Sequence, residues 1–411
     1  MVTLVFVNQS PGQAAAASRD SHLTLRRVER QQYLIERLHA SRTRLTHGRL
    51  ADELGVTERT IARDIERLIH YLQKIDKKND YIILLKPKDF DSWQPTNPRF
   101  QKVACPYKEY TFSEQIDFKK QLEGLNLDLV HFAMVQQPVW YHASPVVTTM
   151  QDLTTVRFRN PDKNPVIFWI KQQIYKWVNK KVARKSAHII TISNFVKNDL
   201  VGFTGISPDK ITVTLESADE LPKGNDPVKE LIGKKFIMYI GRPTPHKNLR
   251  RLIDAFALLQ KKHPELTLAL AGKKDSNYAR HEAYVNEHNI KNVIFTDFIS
   301  DEQLRWMYEN TAVYCFPSLS EGFGLPGLEA MLHGAPVASS TATCLPETHG
   351  DAAHYFDPYD VEDIARAIDD LLTDEKLRRQ LIKKGKQHVK TFSWQRMAEQ
   401  TLAVYNSVVK D

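Results

Sequence analysis

Cysteine is nearly absent from this 411-residue chain: Cys105, Cys315 and Cys344 stand far apart and without metal-ligand spacing. That scarcity argues against a disulfide framework and a zinc cluster, and for a reducing, cytoplasmic setting. Long apolar runs are also missing, so no membrane span is predicted. The opening TLVFV is too short, and lacks the basic flank, for a signal peptide. No Asp or Glu occurs between Asp162 and Asp199. The rest is ordinary for a globular protein, with 42% hydrophobic and 26% charged residues, and long enough for two or three domains. A net charge of +8 permits anionic partners without choosing among nucleotide, nucleic acid and membrane surface.

What the chain does contain is concentrated in residues 317–336, PSLSEGFGLPGLEAMLHGAP. Glu321 and Glu329 lie eight positions apart, around a Gly-rich turn that breaks into a helix. With one acid in the loop and the other in the helix, the two can approach one ligand from two sides. Small residues such as Gly324 let the backbone come close, and N–H groups at the helix start favour an anion. Upstream, TAVYCFPS reads as a buried strand; downstream, GAPVASS reads as another, running into TATCLPETHGDAA. Strand, loop, helix and strand form a parallel unit whose loops open at the carboxyl end of the sheet, where such sheets bind ligands.

The beginning of the chain reads differently. Residues 1–20 are expected to be a flexible arm, and residues 21–70 a helix-turn-helix-like segment. Val28, Tyr33, Leu34 and Leu38 mark a first amphipathic helix and His47–Leu54 a second. A turn at Gly55-Val56-Thr57 leads to a third helix from Glu58, with Thr57 as its N-cap. The stretch from RRVERQQYLIERL to GVTERTIARDIERL resembles the winged-helix DNA-binding domains of bacterial regulators. Arg59, Arg63 and Arg67 on the third helix would be the DNA contacts, the last two sharing one face.

Beyond it, YIILLK, DLVHF, PVVTTM and HIITI read as one series of strands. KFIMYIG, LTLALAG, NVIFTDF, VYCFPS and APVASS read as a second. Two such series joined by helices predict an α/β protein of two doubly wound domains, residues 71–220 and 221–392, linked near ESADELPKGNDPVKE. Residues 393–411 are expected to form a helix that packs back on the first domain. In YIGRPTPHKN, Gly241 and Arg242 fall at a strand end and Lys247 just before a helix, so both cations can reach the glutamates' cleft. Two fixed cations beside a helix start suit a diphosphate.

Taken with LALAGKKD, IFTDFISDEQL and LPETHGDAAHYFDPYD, these motifs resemble the retaining GT-B glycosyltransferases of family four. The resemblance implies two Rossmann-like domains facing a cleft and a nucleotide sugar as donor substrate, with no further cofactor. It implies that Arg242 and Lys247 hold the donor diphosphate, that Glu329 takes the ribose hydroxyls and that Glu321 faces the donor sugar. The backbone at Gly241, Gly324 and Leu325 would meet phosphate or sugar oxygens. Each charge-assisted bond from Glu329 to a hydroxyl would contribute ~1.5–3 kcal/mol. No DxD-type pair stands in a suitable loop, which agrees with metal-independent chemistry.

Two departures from the family's pattern stand in the first half. The family often shows His-Asp after its PVVTI-like strand, whereas this chain has Gln151-Asp152. Gln151, Asp152 and His131, the last in DLVHF, are the acceptor-side candidates. Where the family's usual first strand and Gly-rich loop would directly precede the first helix, this chain has the helix-turn-helix text; VTLVFV could supply the strand only if roughly sixty residues followed as an insertion. An incomplete sheet would expose a strand edge.

The function expected is hexosyl transfer with retention, from a nucleotide sugar to a saccharide or lipid-linked acceptor, in cell-surface polysaccharide or glycolipid synthesis. The alternatives are a DNA-binding regulator with a ligand-sensing transferase-like body, or an inactive truncated fusion. Residues 163–185, where VIFWIKQQIYKWVNKKVARK interleaves cations with large apolar side chains, read either as a helix packed on the first sheet or as a peripheral contact with the inner face of an anionic membrane.

Overall fold

The computed structural model describes residues 3–7, 58–108, 111–158, 165–224 and 226–410. Most of the helix-turn-helix-like segment, residues 21–57, therefore lies outside the described residues. Two β-sheets organise the rest. The first contains β1 (Thr3–Val7), β2 (Asp80–Leu85), β3 (Phe100–Ala104), β4 (Leu129–Phe132), β5 (Val146–Thr149), β6 (His188–Thr191) and β7 (Ile211–Val213), in the order β3-β2-β1-β4-β5-β6-β7. The second contains β8 (Phe236–Ile240), β9 (Thr267–Ala271), β10 (Val293–Asp297), β11 (Val313–Phe316), β12 (Val337–Ser340) and β13 (Ala353–Phe356), in the order β10-β9-β8-β11-β12-β13. Every pairing in the second sheet is parallel. Its central strands read as apolar runs because helices cover both faces: β9 and β11 are buried throughout.

The first sheet corrects two expectations. Residues 3–7 are not part of a free arm; they form a strand between β2 and β4, so the expected gap at that position is filled. The strand is antiparallel to both neighbours, with Thr3 opposite Leu84 and Phe132 and Val7 opposite Asp80. All other pairings in this sheet are parallel. In the register seen, the amino end of β1 lies at the carboxyl ends of its neighbours. Its own carboxyl end therefore points away from the edge where a parallel first strand would present its loop.

The domain boundary near residue 70 also moves. Glu58–Ile75 is one continuous helix. Ile65, Leu68, Ile69 and Leu72 recur at helical spacing and are buried in a cluster with β2, β4 and the Trp394–Lys410 helix. Each such side chain removed from water contributes roughly 1.5–3 kcal/mol. The helix ends where Asp76 gathers the following turn: its carboxylate accepts from the backbone N–H groups of Lys78 and Asn79 and from the hydroxyl of Tyr81, the last at 2.5 Å. What reads as the third helix of a DNA-binding unit is thus built into the first α/β domain. The C-terminal helix packs on the same domain, with Trp394, Met397, Ala398 and Tyr405 in the shared cluster.

Candidate active site

In the second sheet the strand order reverses between β8 and β11, which are neighbours while their chain successors run to opposite sides. A crevice must open there at the carboxyl ends of the strands. The loop after β8 carries Gly241, Arg242 and Lys247, and the loop after β11 carries Glu321 and Gly324. Topology alone therefore brings the two motifs to one place.

Lys247 ends a short 3-10 turn and Asn248 follows in the left-handed region at φ 60°. The Asn248 amide is anchored to the carbonyls of Pro317 and Pro358, at 3.0 and 2.8 Å. So fixed, Lys247 donates to both oxygens of Glu321, at 2.7 and 2.9 Å. Arg242 donates to Asp275 at 3.2 Å. Gly241 has φ 140°, and its carbonyl accepts from the buried Tyr278 hydroxyl at 2.8 Å.

Gly324 has φ 99° and begins the Leu325–Leu332 helix, whose amino end no side chain caps. A Cβ there would stand 2.6 Å from Leu345 Cδ2, so both the dihedral and the space require glycine. The support behind this turn is His349, which the sequence reading did not single out. Its Nε2 lies 3.2 Å from the Gly324 carbonyl and its Nδ1 3.1 Å from Ser339 Oγ. A carbonyl only accepts, so Nε2 carries the proton and Nδ1 accepts from the serine. Burial pushes the imidazole down to about 4, which keeps it neutral in that role.

Glu329, one turn into the helix, is buried at 5% exposure. Burial raises its carboxyl pKa, and the positive charge of Arg63 opposes that rise. Arg63 Nη1 donates to Glu329 Oε1 at 2.6 Å, and the Tyr308 hydroxyl stands 3.5 Å from Oε2. Arg67, one turn on, donates to Asp219 Oδ2 at 2.9 Å, while Trp394 Nε1 donates to Oδ1 of the same aspartate at 3.1 Å. Two of the three arginines named as DNA contacts, Arg63 and Arg67, are therefore engaged within the chain. Arg59 lies on the first turn of the same helix, but its side chain falls outside the described residues.

The facing domain meets this loop directly. A Cβ on Gly322 would run into the carbonyl oxygen of Gln151, so the second domain needs glycine where the first abuts it. Ser193 donates to the Gly322 carbonyl at 2.7 Å, and the hydroxyls of Thr154 and Ser320 are 2.9 Å apart. Glu347 accepts from the backbone N–H groups of Asn194 and Phe195 at the start of the Asn194–Thr204 helix. Asp152 stands behind Glu321: burial raises its carboxyl, the Thr154 N–H opposes this, and the negative charge of Glu321 adds to it. Gln151 Nε2 points to Asp64 Oδ2 at 3.5 Å.

His131 is placed differently. Its two ring nitrogens are occupied, by Tyr405 at 2.6 Å and Thr149 at 2.8 Å, and burial pushes its pKa down to about 3. It lines a small cavity, of about 40 Å³, together with Gln151, Asp64 and Glu216. The two acids form a buried pair. Burial lifts Asp64 to about 7, Glu216 is raised also, and Asp64 Oδ1 has no hydrogen-bond partner. Neither acid was picked out from the sequence; one sits on a helix and the other in the linker, and no local pattern joins them.

Two doubly wound domains that face each other across paired carboxylates and cations define the GT-B architecture. Residues 223–388 match the family described as Glycosyl transferases group 1, and residues 65–215 match Glycosyltransferase Family 4. The chain belongs to these GT-B glycosyltransferases. Residues 30–82 also match an HTH domain, so residues 65–82, the later part of the Glu58–Ile75 helix and the start of β2, fall in both matches. Among curated proteins, the chain is 30% identical over 275 residues to the MMP alpha-(1->4)-mannosyltransferase of Mycolicibacterium hassiacum, covering 64% of this chain and 66% of that one. It is 27% identical over 392 residues to O-antigen chain mannosyltransferase B of Escherichia coli, covering 87% and 95%. A glycosyltransferase from Rickettsia africae shares the fold at TM-score 0.65 and 17% identity, over 87% of this chain and 97% of that one. So does Anabaena Alr3699/HepE in complex with UDP and glucose, at TM-score 0.62 and 17% identity, over 84% and 96%.

Proposed function

We propose that the protein moves a hexosyl group, mannosyl by likeness to its curated relatives, from a nucleotide sugar to a saccharide or lipid-linked acceptor of a cell-surface glycan, with retention of configuration. The observation that carries this reading is the Lys247–Glu321 ion pair at the switch-point crevice, at 2.7 Å, beside an uncapped helix start and the buried Glu329. When a donor enters, Lys247 turns from Glu321 to the diphosphate and Arg242 joins it. Together they stabilise the charge that develops on the departing nucleoside diphosphate, the part a metal ion plays in other transferases. Glu321, released, orients the sugar hydroxyls and faces the positive charge at the anomeric carbon. Glu329 accepts the ribose hydroxyls. Gln151 and Asp152, in contact with the Glu321 loop, bound the acceptor side. Gln151 cannot exchange a proton at neutral pH, so the acceptor's proton goes to a donor phosphate oxygen, which is consistent with retention without a protein base.

The test is release of nucleoside diphosphate from a panel that includes GDP-mannose and UDP-glucose, with saccharide acceptors and with chelator present. Turnover on a mannosyl donor that survives the chelator, and that a Lys247→Ala, Glu321→Ala double variant abolishes, is the expected result. Turnover no greater than that of the variant, across donors and acceptors, would refute the reading.

A further inference from the structure

Four large apolar side chains of the Pro165–Lys185 helix, Trp169, Ile170, Ile174 and Trp177, are not turned toward the protein. At about 100° per residue, Trp169, Ile170, Ile174 and Trp177 fall with Lys180, Lys181 and Arg184 in one arc of roughly 140°. The opposite face is the one that packs: Asn179, Val182 and Ala183 are fully buried. Along the outward arc, Trp169 is 60% exposed, Ile170 48%, Ile174 56% and Trp177 49%. Trp140, 54% exposed, adds a third tryptophan from a neighbouring loop, its ring 6.3 Å from that of Trp177. Next to that loop lie Phe112, 87% exposed, and Ile116, held there by Gln115, whose amide bonds the backbone of Gln137 and Val139. Single exposed apolar residues need no explanation, whereas a contiguous set this large marks an interaction surface.

The chemistry of the partner follows from what adjoins it. At the carboxyl end of the same helix a cavity of about 420 Å³ is lined by His142, Trp177, Lys180, Lys181, Arg184 and Lys185. Among the described residues, Lys180, Lys181, Arg184 and Lys185 have no carboxylate partner. Lys185 is fixed instead by donation to the Pro138 carbonyl at 2.6 Å, and crowding by burial and by Lys181 depresses its pKa. Converging cations without counter-ions call for an anion, and the aromatic stripe beside them calls for an apolar medium. A bilayer of anionic phospholipid supplies both at the same spacing, phosphate at the surface and acyl chains beneath. Tryptophans concentrate at such interfaces because one edge is polar and the body apolar. Nucleic acid would satisfy the cations but leave Trp169, Ile170 and Ile174 in water.

We infer that this face docks on an anionic bilayer, with Trp140, Trp169, Ile170, Ile174 and Trp177 in the interface and a phospholipid phosphate seated in the Lys180–Lys181–Arg184–Lys185 cavity. The docking surface belongs to the first domain alone and is separate from the donor crevice, so it can be tested independently of sugar transfer.

The experiment is co-sedimentation of the full chain with phosphatidylcholine vesicles, either pure or containing about one third phosphatidylglycerol, at an ionic strength of about 0.1 M. Wild type is expected to bind the anionic vesicles at least tenfold more tightly, with a blue shift of tryptophan emission and weakening as salt is raised. Lys180→Ala, Lys181→Ala, Arg184→Ala together should remove that preference. Trp169→Ser with Trp177→Ser should lower binding at least tenfold without changing charge. Because these side chains are exposed, thermal melting and nucleoside diphosphate binding should be unchanged in both variants. Millimolar inorganic phosphate should not displace the protein from vesicles, since the apolar contacts remain. Equal binding to both vesicle types, release by free phosphate alone, preference for duplex DNA over anionic vesicles, or indifference to both variants would each overturn the inference.

Discussion

Arg63 Nη1 donates to Glu329 Oε1 at 2.6 Å, joining residues 266 positions apart across the crevice between the domains. One belongs to a helix that also reads as a DNA-recognition helix, the other to the helix that follows the Gly-rich loop. Burial raises the Glu329 carboxyl above its ordinary value, and Arg63 opposes that rise, which favours the ionised form. A carboxylate has about four lone-pair sites, so Glu329 can keep Arg63 and still accept hydroxyl groups.

Arg63→Ala should therefore weaken nucleoside diphosphate binding by about tenfold near neutral pH, less than the loss on breaking a fully buried charge pair because the Arg63 side chain is 32% exposed. The loss should be greatest at low pH and shrink as pH rises, because Glu329 without its cation ionises only at higher pH. Calorimetric titration across pH 6 to 9 checks both points. Tighter binding in the variant would mean that Arg63 obstructs the site instead of supporting it.

Asp64 and Glu216 give a second pH signature, this time in stability. The folded Asp64 carboxyl is raised from 3.8 to about 7, mainly by burial, and Glu216 moves the same way. The folded state thus binds more protons than the unfolded chain between these values. The pair's contribution is full below the unfolded pKa and is lost as pH rises through the folded one. Wild type should lose stability from this source between pH 4 and 7, on the order of a few kcal/mol. Asp64→Asn should flatten that part of the profile, read as urea midpoints at pH 5 and pH 8. Parallel profiles for the two proteins would show that the acids are not titrating as a buried pair.

Glycine replacements separate close approach from mere helix propensity. A Cβ on Gly327 would lie 2.5 Å from His349 Cε1 and closer still to Nε2, inside a fully buried ring. Gly327→Ala must push His349 off the Gly324 carbonyl, with an overpacking cost of about 1–3 kcal/mol and weaker donor binding. Gly202 lies within the Asn194–Thr204 helix, and a Cβ there meets nothing within 4 Å. Gly202→Ala should be neutral or stabilise by about 0.4–1 kcal/mol. Thermal melts of the two variants, with and without nucleotide, test the contrast; similar shifts for both would contradict it.

The same residues explain what could be read in advance. The apolar runs that became β2, β4, β5, β6, β8, β9, β11 and β12 were legible because both faces of each strand are covered, which leaves an unbroken signal. β3, β7 and β13 fall outside the expected strands. All three are sheet edges, and positions such as Gln101 and Lys102 dilute the pattern, whereas β10, also an edge, keeps the apolar run Val293-Ile294-Phe295 and is among the expected strands. The direction of β1 was illegible for another reason: TLVFV is an apolar run that carries no signal of which way it pairs, and its partners lie more than seventy residues away. Glu321, Glu329 and Lys247 could be named because loop chemistry is local. Their tie to Arg63, and that of Asp64 to Glu216, depends on how the two domains meet, which no window of sequence records.

The Lys247–Glu321 pair makes the last prediction, because its two members should fail in different ways. Lys247 donates to both carboxylate oxygens, at 2.7 and 2.9 Å, so each residue occupies the other until a donor separates them. Glu321→Gln keeps the shape but weakens the hold on Lys247, leaving the ammonium freer to meet a diphosphate. Product nucleoside diphosphate should then bind as tightly as in wild type or more so, while kcat falls by about 100-fold or more for want of the carboxylate facing the anomeric carbon. Lys247→Ala should lower both, since the cation serves the bound diphosphate and the departing one alike. Parallel binding titrations and transfer assays on the two variants supply the test. Equal losses of nucleotide binding in both would mean that the pair works as one binding unit and that Glu321 has no separate part in the transfer step.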